Sequence, residues 1–263
     1  MQRFTFLAAT LGVIAMNAAA ILLPLNGVST QELSERYPTG FTPAGWVFSI
    51  WSLIYTGLLA LSVWAAVAPM PNAERLRRIR APYLVSSTAN ASWLVLWHYE
   101  QVLASVVVML VLLGSLVVIY TRLREGAPRS MVETLCVDAP FSLYVGWITT
   151  ASIANFATWR FDVGTYPLGL TMDEWALVSV TLAIAIYVGV GALTRDAVYV
   201  GVFAWAALGI AYQTLPTSDP VRVVAAVGSA VTSALVVALL IGRAREYRPR
   251  STRTQLSAGG IDR

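Results

Sequence analysis

Long apolar runs are the feature that most constrains this fold. A membrane-spanning helix needs about 20 consecutive apolar residues, and the chain contains eight runs near that length, with nearly all charged residues in the gaps between them. Hydrophobic residues make up 57% of the chain and charged residues only 12%, whereas soluble domains average about 45–50% and about 25%. The sequence therefore predicts an all-α integral membrane protein.

Eight spans follow from the ends of these apolar runs. They cover residues 4–25, 43–67, 81–97, 102–123, 141–159, 175–193, 197–213 and 221–241. We expect the first span to be retained rather than cleaved as a secretory signal, because residues 21–23 continue the apolar run past the small residues at 18–20. Spans six and seven are separated only by Thr194, Arg195 and Asp196.

The number of arginine residues alternates along the chain, high after spans two, four and eight and low after spans one, three, five and seven. The segment 69–80 is rich in arginine, a second group follows span four, and a third occupies the tail after Gly242. Because basic residues accumulate in cytoplasmic loops, we expect these segments and both termini to be cytoplasmic, in a prokaryotic plasma membrane. The basic tail, residues 243–263, is predicted to be disordered or bound to anionic lipid headgroups.

Residue types that are absent or single exclude several classes of function. The chain has no lysine for a Schiff base. Cys136 and His98 are its only cysteine and histidine, so neither an intrachain disulfide nor a Cys/His metal site is predicted. Phosphate-binding, dinucleotide-binding and HExxH motifs are missing. We therefore expect no enzyme, no obligatory cofactor and no metal, and the net charge of +4, carried by loops and tail, does not indicate nucleic acid.

Ionisable residues near the span ends are interpreted as structural. His98 and Glu100 lie between spans three and four, where a solvated turn is favoured over a catalytic pair. Asp138 precedes span five, where the macrodipole favours an acidic residue at a helix start. Spans one to five hold almost no ionisable residue at hydrocarbon depth, which argues against a proton-coupled or ion-coupled transporter.

An aromatic segment, FTPAGWVFSIWSLIY at residues 41–55, leads into span two. Such a cluster is typical of the membrane interface, where Trp and Tyr are half hydrated. It is also typical of a cavity wall built from flat rings. The interfacial belt is the commoner of the two, and the interpretations are compatible.

Neutral polar residues occur inside spans three and five. Asn90 lies near Trp93, and Trp147, Ala151 and Asn155 stand four residues apart, so they share one helix face. Amides in lipid usually bond between helices, at about 0.6–2 kcal/mol each. A face with a large ring, a small gap and an amide also suits a flat apolar ligand that carries one polar group.

Three motifs resemble the TspO/MBR family of tryptophan-rich sensory proteins and translocator proteins. Residues 41–55 resemble the segment that follows the family's first span. Residues 144–160, YVGWITTASIANFATWR, are similar to the end of its fifth helix, and Asn90 and Trp93 match its Asn-x-x-Trp in helix three. The motifs occur in the family's order over about residues 1–160.

The chain also departs from the family pattern. Ala44 replaces the second proline of the loop, and the stretch between Phe48 and Trp51 is one residue shorter than usual. Phe156 replaces the tyrosine of a proposed sterol-recognition pattern, so cholesterol binding is not expected. Family members usually have five spans, whereas residues 161–242 here supply three more.

The resemblance implies a five-helix bundle over residues 1–160, three additional transmembrane helices over 161–242, and a cavity capped by the loop after span one. It implies that the ligand is a porphyrin, such as protoporphyrin or a haem-like tetrapyrrole, or a similar flat hydrophobic molecule. The predicted ligand-binding residues are Trp51, Asn90, Trp93, Trp147, Ala151 and Asn155, and the predicted lid residues are Phe41, Pro43 and Trp46. Homodimers occur in the family, but the added spans could cover their usual interface.

Three functions are compatible with these features. A membrane-embedded binding protein or sensor for tetrapyrroles is preferred. A facilitative carrier would use the extra spans as a second half, although no repeat relates residues 1–120 to 140–242, and a scaffold would use them to contact a partner protein. Family members are linked to light-dependent porphyrin breakdown, but no residue here is placed to activate water or form a covalent intermediate.

Overall fold

The computed structural model describes residues 4–23, 25–67, 70–125, 130–213 and 217–246, and these ranges contain helices but no strand. The helices are α1 (Thr5–Leu22), α2 (Thr30–Glu35), α3 (Ile50–Val67), α4 (Met70–His98), α5 (Val102–Arg124), α6 (Met131–Glu133), α7 (Ala139–Val163), α8 (Met172–Thr194), α9 (Ala197–Ala211) and α10 (Asp219–Glu246). Short 3-10 turns lie at Leu25–Gly27, Gly45–Ser49 and Pro167–Gly169, and Thr134–Asp138 is a π-helical turn.

The long helices have the length and the outer surface that a bilayer requires. Four stretches of the described residues are long and apolar enough to cross a membrane, namely Gly45–Val67, Val102–Arg124, Met172–Thr194 and Asp219–Arg245. On α5, Leu103, Val107 and Leu110 are each more than half exposed and form a stripe along one face, as expected where a helix meets lipid. The predicted all-α fold is confirmed for the described residues, and the number of eight spans stays a prediction.

The short boundary between α8 and α9 is built from two adjacent residues. Arg195 takes the left-handed conformation, with φ of 53°, and ends α8. Asp196 then caps α9, because its Oδ1 accepts the main-chain N–H groups of Val198 and Tyr199 at 3.0 and 3.1 Å. The predicted break between these two helices is confirmed, although Thr194 still belongs to α8 and only two residues separate them.

The prediction of a loop over residues 69–80 is wrong. Helix α4 begins at Met70 and continues for 29 residues to His98, so the arginine-rich segment forms its first turns. The reason is that Arg, Leu, Ala and Glu, which dominate residues 73–80, are strong helix formers. Pro69 lies outside the described residues.

Asp138 precedes α7 as predicted, but its carboxylate makes no capping hydrogen bond to that helix. It pairs instead with Arg75 of α4, which also pairs with Glu133 and donates to the main-chain carbonyl of Leu123. The three charged side chains are 15% exposed or less, and charges this buried require such partners. The cluster ties the start of α4 to the end of α5 and to the approach of α7.

The second predicted span, residues 43–67, agrees within two residues with the stretch Gly45–Val67, but it does not begin as an α-helix. Residues 45–49 form a 3-10 turn, and α3 begins at Ile50 rather than near Pro43. Ala44, after the proline, is extended with φ of −57° and ψ of 147°, so the chain is not yet helical there. The whole segment from Phe41 to Ser49 is called the lid below.

Helix α7 contacts helices from both the earlier and the later portion of the chain. It packs against α3 and α5 and also against α8 and α9. Helix α4 packs against α1 and α5, and α10 packs against α8 and α9. Buried apolar side chains from these helices form one continuous core. Helix α10 extends to Glu246, so the start of the predicted tail is helical, and residues 247–263 lie outside the described residues.

Candidate functional site

A small aromatic chamber lies between the lid, α2, α3, α4 and α7. Its volume is about 50 Å³. It is lined by Thr30, Ser34, Thr42, Pro43, Phe48, Trp51, Trp93, Trp97, Trp147, Thr150, Ala151, Ala154, Asn155 and Thr158. Five of the six predicted ligand-binding residues therefore lie together, and Asn90 is the exception.

A larger second chamber lies beside the first, among α1, α3, α4 and the start of α2. Its volume is about 410 Å³, and it is lined by Ile14, Asn17, Ala18, Ser29, Thr30, Gln31, Phe48, Trp51, Ser52, Tyr55, Trp93 and Leu94. Because Phe48, Trp51 and Trp93 line both chambers, these rings form the partition between them. The second volume falls within the range of about 300–1,000 Å³ found for small-molecule sites.

The rings around the chambers meet in the two arrangements that aromatic quadrupoles favour. Trp147 is nearly perpendicular to Trp51 and to Phe48, with centroid separations of 6.2 and 5.9 Å. Trp93 and Trp97 stack at 5.8 Å with 17° between their planes. Helices α3, α4 and α7 thus present both ring faces and ring edges to the cavity.

The amide of Asn155 is used inside the bundle. Its Oδ1 accepts from Trp93 Nε1 at 2.8 Å, and its Nδ2 donates to Ser105 Oγ at 2.9 Å. Asn155 therefore lines the first chamber with a side chain whose amide already joins α7 to α4 and α5.

Trp147 differs from Trp93 in its polar group. The side chain is 3% exposed, and its Nε1 has no hydrogen-bond partner among the described residues. A buried donor without a partner costs about 1–3 kcal/mol. The indole N–H of Trp147 is therefore a donor that an acceptor inside the cavity could satisfy.

Asn90 lines neither chamber. It is 1% exposed, its Oδ1 accepts from Asn17 Nδ2 at 3.1 Å, and its Nδ2 donates to the Tyr144 hydroxyl at 2.9 Å. The amide thus links α4 to α1 and α7. This agrees with the expectation that a polar side chain in lipid forms hydrogen bonds between helices.

The three predicted lid residues have different surroundings. Phe41 is completely buried and lines neither chamber, whereas Pro43 lines the first chamber. Trp46 is 43% exposed and meets Trp205 of α9 edge to face, with ring centroids 4.5 Å apart. The lid therefore has one side toward the cavity and another toward α9.

The prediction of a solvated turn is wrong for His98, which is completely buried. Its Nδ1 lies 2.7 Å from the carbonyl oxygen of Leu94, and its Nε2 lies 3.4 Å from Thr30 Oγ1. The ring therefore joins α4 to α2, and Thr30 lines both chambers.

Glu100, two residues further on, is exposed but not isolated. It pairs with Arg36 at 3.2 Å and accepts a hydrogen bond from the Tyr37 hydroxyl at 3.0 Å. Partial burial and this hydrogen bond to a carboxylate raise the pKa of Tyr37 to about 12. These contacts connect the segment before the lid to the turn between α4 and α5.

The chemistry of the lining is uncharged. None of the described residues that line either chamber is acidic or basic, and the described residues contain no group of three or more His, Cys, Asp or Glu side chains that could hold a metal ion. The walls offer rings, hydroxyls, amides and one unpaired indole N–H. Such a lining can bind a flat apolar molecule without bonding to it covalently.

Part of the lining was missed from the sequence, although helical periodicity could have found some of it. Trp97 lies one turn after Trp93, and three further residues share the face of α7 that carries Trp147, namely Thr150, Ala154 and Thr158. The contributions of α1 and α2 carry no local signal, because they depend on which helices pack together.

Comparison with known protein families gives a match over most of the chain. The sequence model of a family described as TSPO-like protein matches residues 3–240. This match extends past residue 160, where the recognisable motifs end, through α8 and α9 and most of α10. No curated protein and no solved structure matches the chain.

Proposed function

Because this chain belongs to the TSPO-like protein family, we propose that it binds porphyrins or similar flat hydrophobic ligands as a receptor or sensor within the membrane. It is an integral membrane protein, in contact with the lipid bilayer. We propose protoporphyrin or a haem-like tetrapyrrole as the ligand, bound between the rings of Trp51, Trp93 and Trp147 beside Ala151.

The unpaired N–H of Trp147 is the observation that carries this proposal. It is a buried donor on a side chain that lines the first chamber, together with four other aromatic rings. A ligand that stacks on these rings and places an acceptor near Trp147 would relieve the cost of leaving that donor unpaired. The adjoining 410 Å³ chamber supplies the space that the first chamber lacks.

The lack of charge in the lining of the chambers also supports a ligand whose buried part is neutral. The chambers are lined by uncharged residues, and burying an unpaired carboxylate is strongly unfavourable. The polar groups of Ser29, Thr30 and Gln31 border the second chamber at its loop end. We place the carboxylates of a bound porphyrin there, with the macrocycle deeper among the rings.

Binding without chemical conversion is part of the proposal. Among the described residues, the lining holds no histidine, cysteine or carboxylate that could act as a nucleophile or a base. The absorption spectrum of protoporphyrin should therefore stay unchanged when it is illuminated together with the protein. Faster bleaching than in matched detergent would instead indicate catalysed breakdown.

The orientation proposed for the chain places both termini in the cytoplasm of a prokaryote. Arg75, Arg78 and Arg122 lie together where α4 begins and α5 ends, since Arg78 pairs with Glu125 and Arg122 donates to the carbonyl of Arg78. This is the side on which basic residues accumulate. Green fluorescent protein fused to either terminus should then fluoresce in bacterial cells, while light scattering would test for a homodimer.

A fluorescence titration tests the binding proposal. Protoporphyrin should quench the tryptophan fluorescence of the detergent-purified protein with saturation at micromolar concentration. Ala151→Leu, which fills the first chamber, should weaken binding about tenfold or more. The control Phe156→Leu lies on the same helix but is 42% exposed and should bind as the wild type does. Quenching that fails to saturate, or that is equal in both variants, would contradict the proposal.

A further inference from the structure

The outer side of the lid is covered by α9, one of the three helices that lie beyond the family motifs. Ala44 donates its main-chain N–H to the carbonyl oxygen of Gly209 at 3.1 Å, and Trp205 Nε1 donates to the carbonyl oxygen of Val47 at 3.1 Å. The ring of Trp205 also meets that of Trp46 at 4.5 Å. Two hydrogen bonds and one ring pair therefore join α9 to residues 44–47 of the lid.

Gly209 lets α9 approach the lid this closely. A Cβ atom at this position would overlap the Cγ2 atom of Val47 and lie 3.3 Å from the Cβ of Pro43. Val47 is completely buried and short, so it cannot swing aside. Any larger residue at 209 would push the lid away from α9.

The opposite side of the same lid faces the first chamber. Thr42, Pro43 and Phe48 line that chamber. In the chain they flank the residues that contact α9, namely Ala44, Trp46 and Val47. A movement of the lid relative to α9 would therefore change the wall of the cavity directly.

Helix α9 is itself fixed to the rest of the bundle at its other end. The Oδ2 atom of Asp196 accepts from Ser142 Oγ at 2.6 Å, from the Tyr120 hydroxyl at 2.9 Å and from Arg124 at 3.1 Å. Asp196 is 9% exposed, and charge-assisted bonds of this kind are among the stronger ones in proteins. Helix α9 is thus anchored to α5 and α7, and α7 carries Trp147.

We propose that α9 is a clamp that holds the lid over the ligand cavity, with Trp205 and Gly209 as the positioning residues that set how often the lid opens. The clamp itself does not depend on the proposed function. Only its expected effect on the rate of ligand exchange rests on that function. It gives the last three helices a role, because α8 and α10 pack on α9 and keep it in place.

The test compares two clamp variants with a control on the same helix. Trp205→Phe keeps a ring but removes the N–H donor, and Gly209→Ala displaces the lid. Gly201→Ala is the control, since a Cβ there would meet only Val236 Cγ2, at an ordinary 3.8 Å. Hydrogen–deuterium exchange of peptides covering residues 41–49, without ligand, should be about fivefold faster or more in both clamp variants, which is the effect of losing about one hydrogen bond. It should be unchanged in the control.

Ligand kinetics supply the second readout. Stopped-flow quenching with protoporphyrin should show faster association and faster dissociation in Trp205→Phe, each by about fivefold. Unchanged lid exchange in both clamp variants would overturn the clamp, whether or not protoporphyrin binds. Faster lid exchange in a protein that binds no protoporphyrin would leave the clamp standing and refute the proposed ligand. If Gly209→Ala does not fold, Trp205→Phe alone decides.

Discussion

Trp93 of α4 donates its indole N–H to Oδ1 of Asn155 in α7, over a distance of 2.8 Å. The N–H of Trp147, which lies on the same helix as Asn155 and lines the same chamber, has no such partner among the described residues. Two tryptophans in one cavity therefore differ in what their polar groups do. One holds two helices together, and the other is the donor that we propose a ligand accepts from.

Substituting these two tryptophans by phenylalanine should separate the roles. Trp147→Phe removes an unpaired donor, so it should cost less stability than Trp93→Phe, which shrinks a buried ring by the same amount, while the affinity for protoporphyrin should fall about fivefold or more. Trp93→Phe takes away a donor from the buried amide of Asn155 and should destabilise the protein by about 1–3 kcal/mol. Thermal melting in detergent and the fluorescence titration measure the two effects. Equal losses of stability in the two variants would refute the distinction.

Asn90 should act on stability rather than on affinity. Asn90→Leu leaves the Tyr144 hydroxyl without its bond to the amide and removes the acceptor of Asn17, so a loss of about 1–3 kcal/mol is expected. Adding Tyr144→Phe should recover part of that loss, because the unpaired hydroxyl is then gone. Affinity that falls tenfold while the melting temperature stays constant would show that Asn90 binds the ligand after all.

Removal of the buried arginine should be far more damaging than removal of an exposed one. Arg75→Ala leaves Glu133 and Asp138 without their shared cation and should cost about 3–5 kcal/mol. Arg77, two residues on, pairs with Glu74 at the surface, with both side chains more than half exposed. Arg77→Ala should therefore change stability by at most about 1 kcal/mol. Urea or thermal unfolding of both variants measures the difference, and similar losses would contradict a structural role for the buried cluster.

The hydroxyl of Tyr37 should lose its proton at a higher pH than an ordinary tyrosine does. Its pKa of about 12 in the folded protein lies above the usual value of 10.0. Tyr37 therefore favours folding fully below pH 10, and this contribution is lost as the pH rises from about 10 to about 12. The difference in tyrosinate absorbance between wild type and Tyr37→Phe should show a midpoint near pH 12. A midpoint near 10 would mean that Glu100 and burial do not protect this hydroxyl.

The sequence by itself determined the membrane helices. The apolar runs specify where helices lie, because in lipid each backbone group must be bonded within its own helix, and this requirement is local. For the same reason Asp196, as a cap residue directly after Arg195, was sufficient to separate α8 from α9. The clustering of Trp51, Trp147 and Ala151 followed from the family motifs and from helical periodicity.

Only the tertiary structure decided what each polar side chain does. The sequence places Asn90, Asn155 and Trp147 inside predicted spans, but the groups that bond to them, or fail to, lie on other helices, and no local pattern specifies them. Trp205 shows this most clearly, because the carbonyl that it bonds belongs to Val47, 158 residues earlier in the chain. Helix formation depends on near neighbours, whereas a cavity and its lid depend on which distant surfaces fit together.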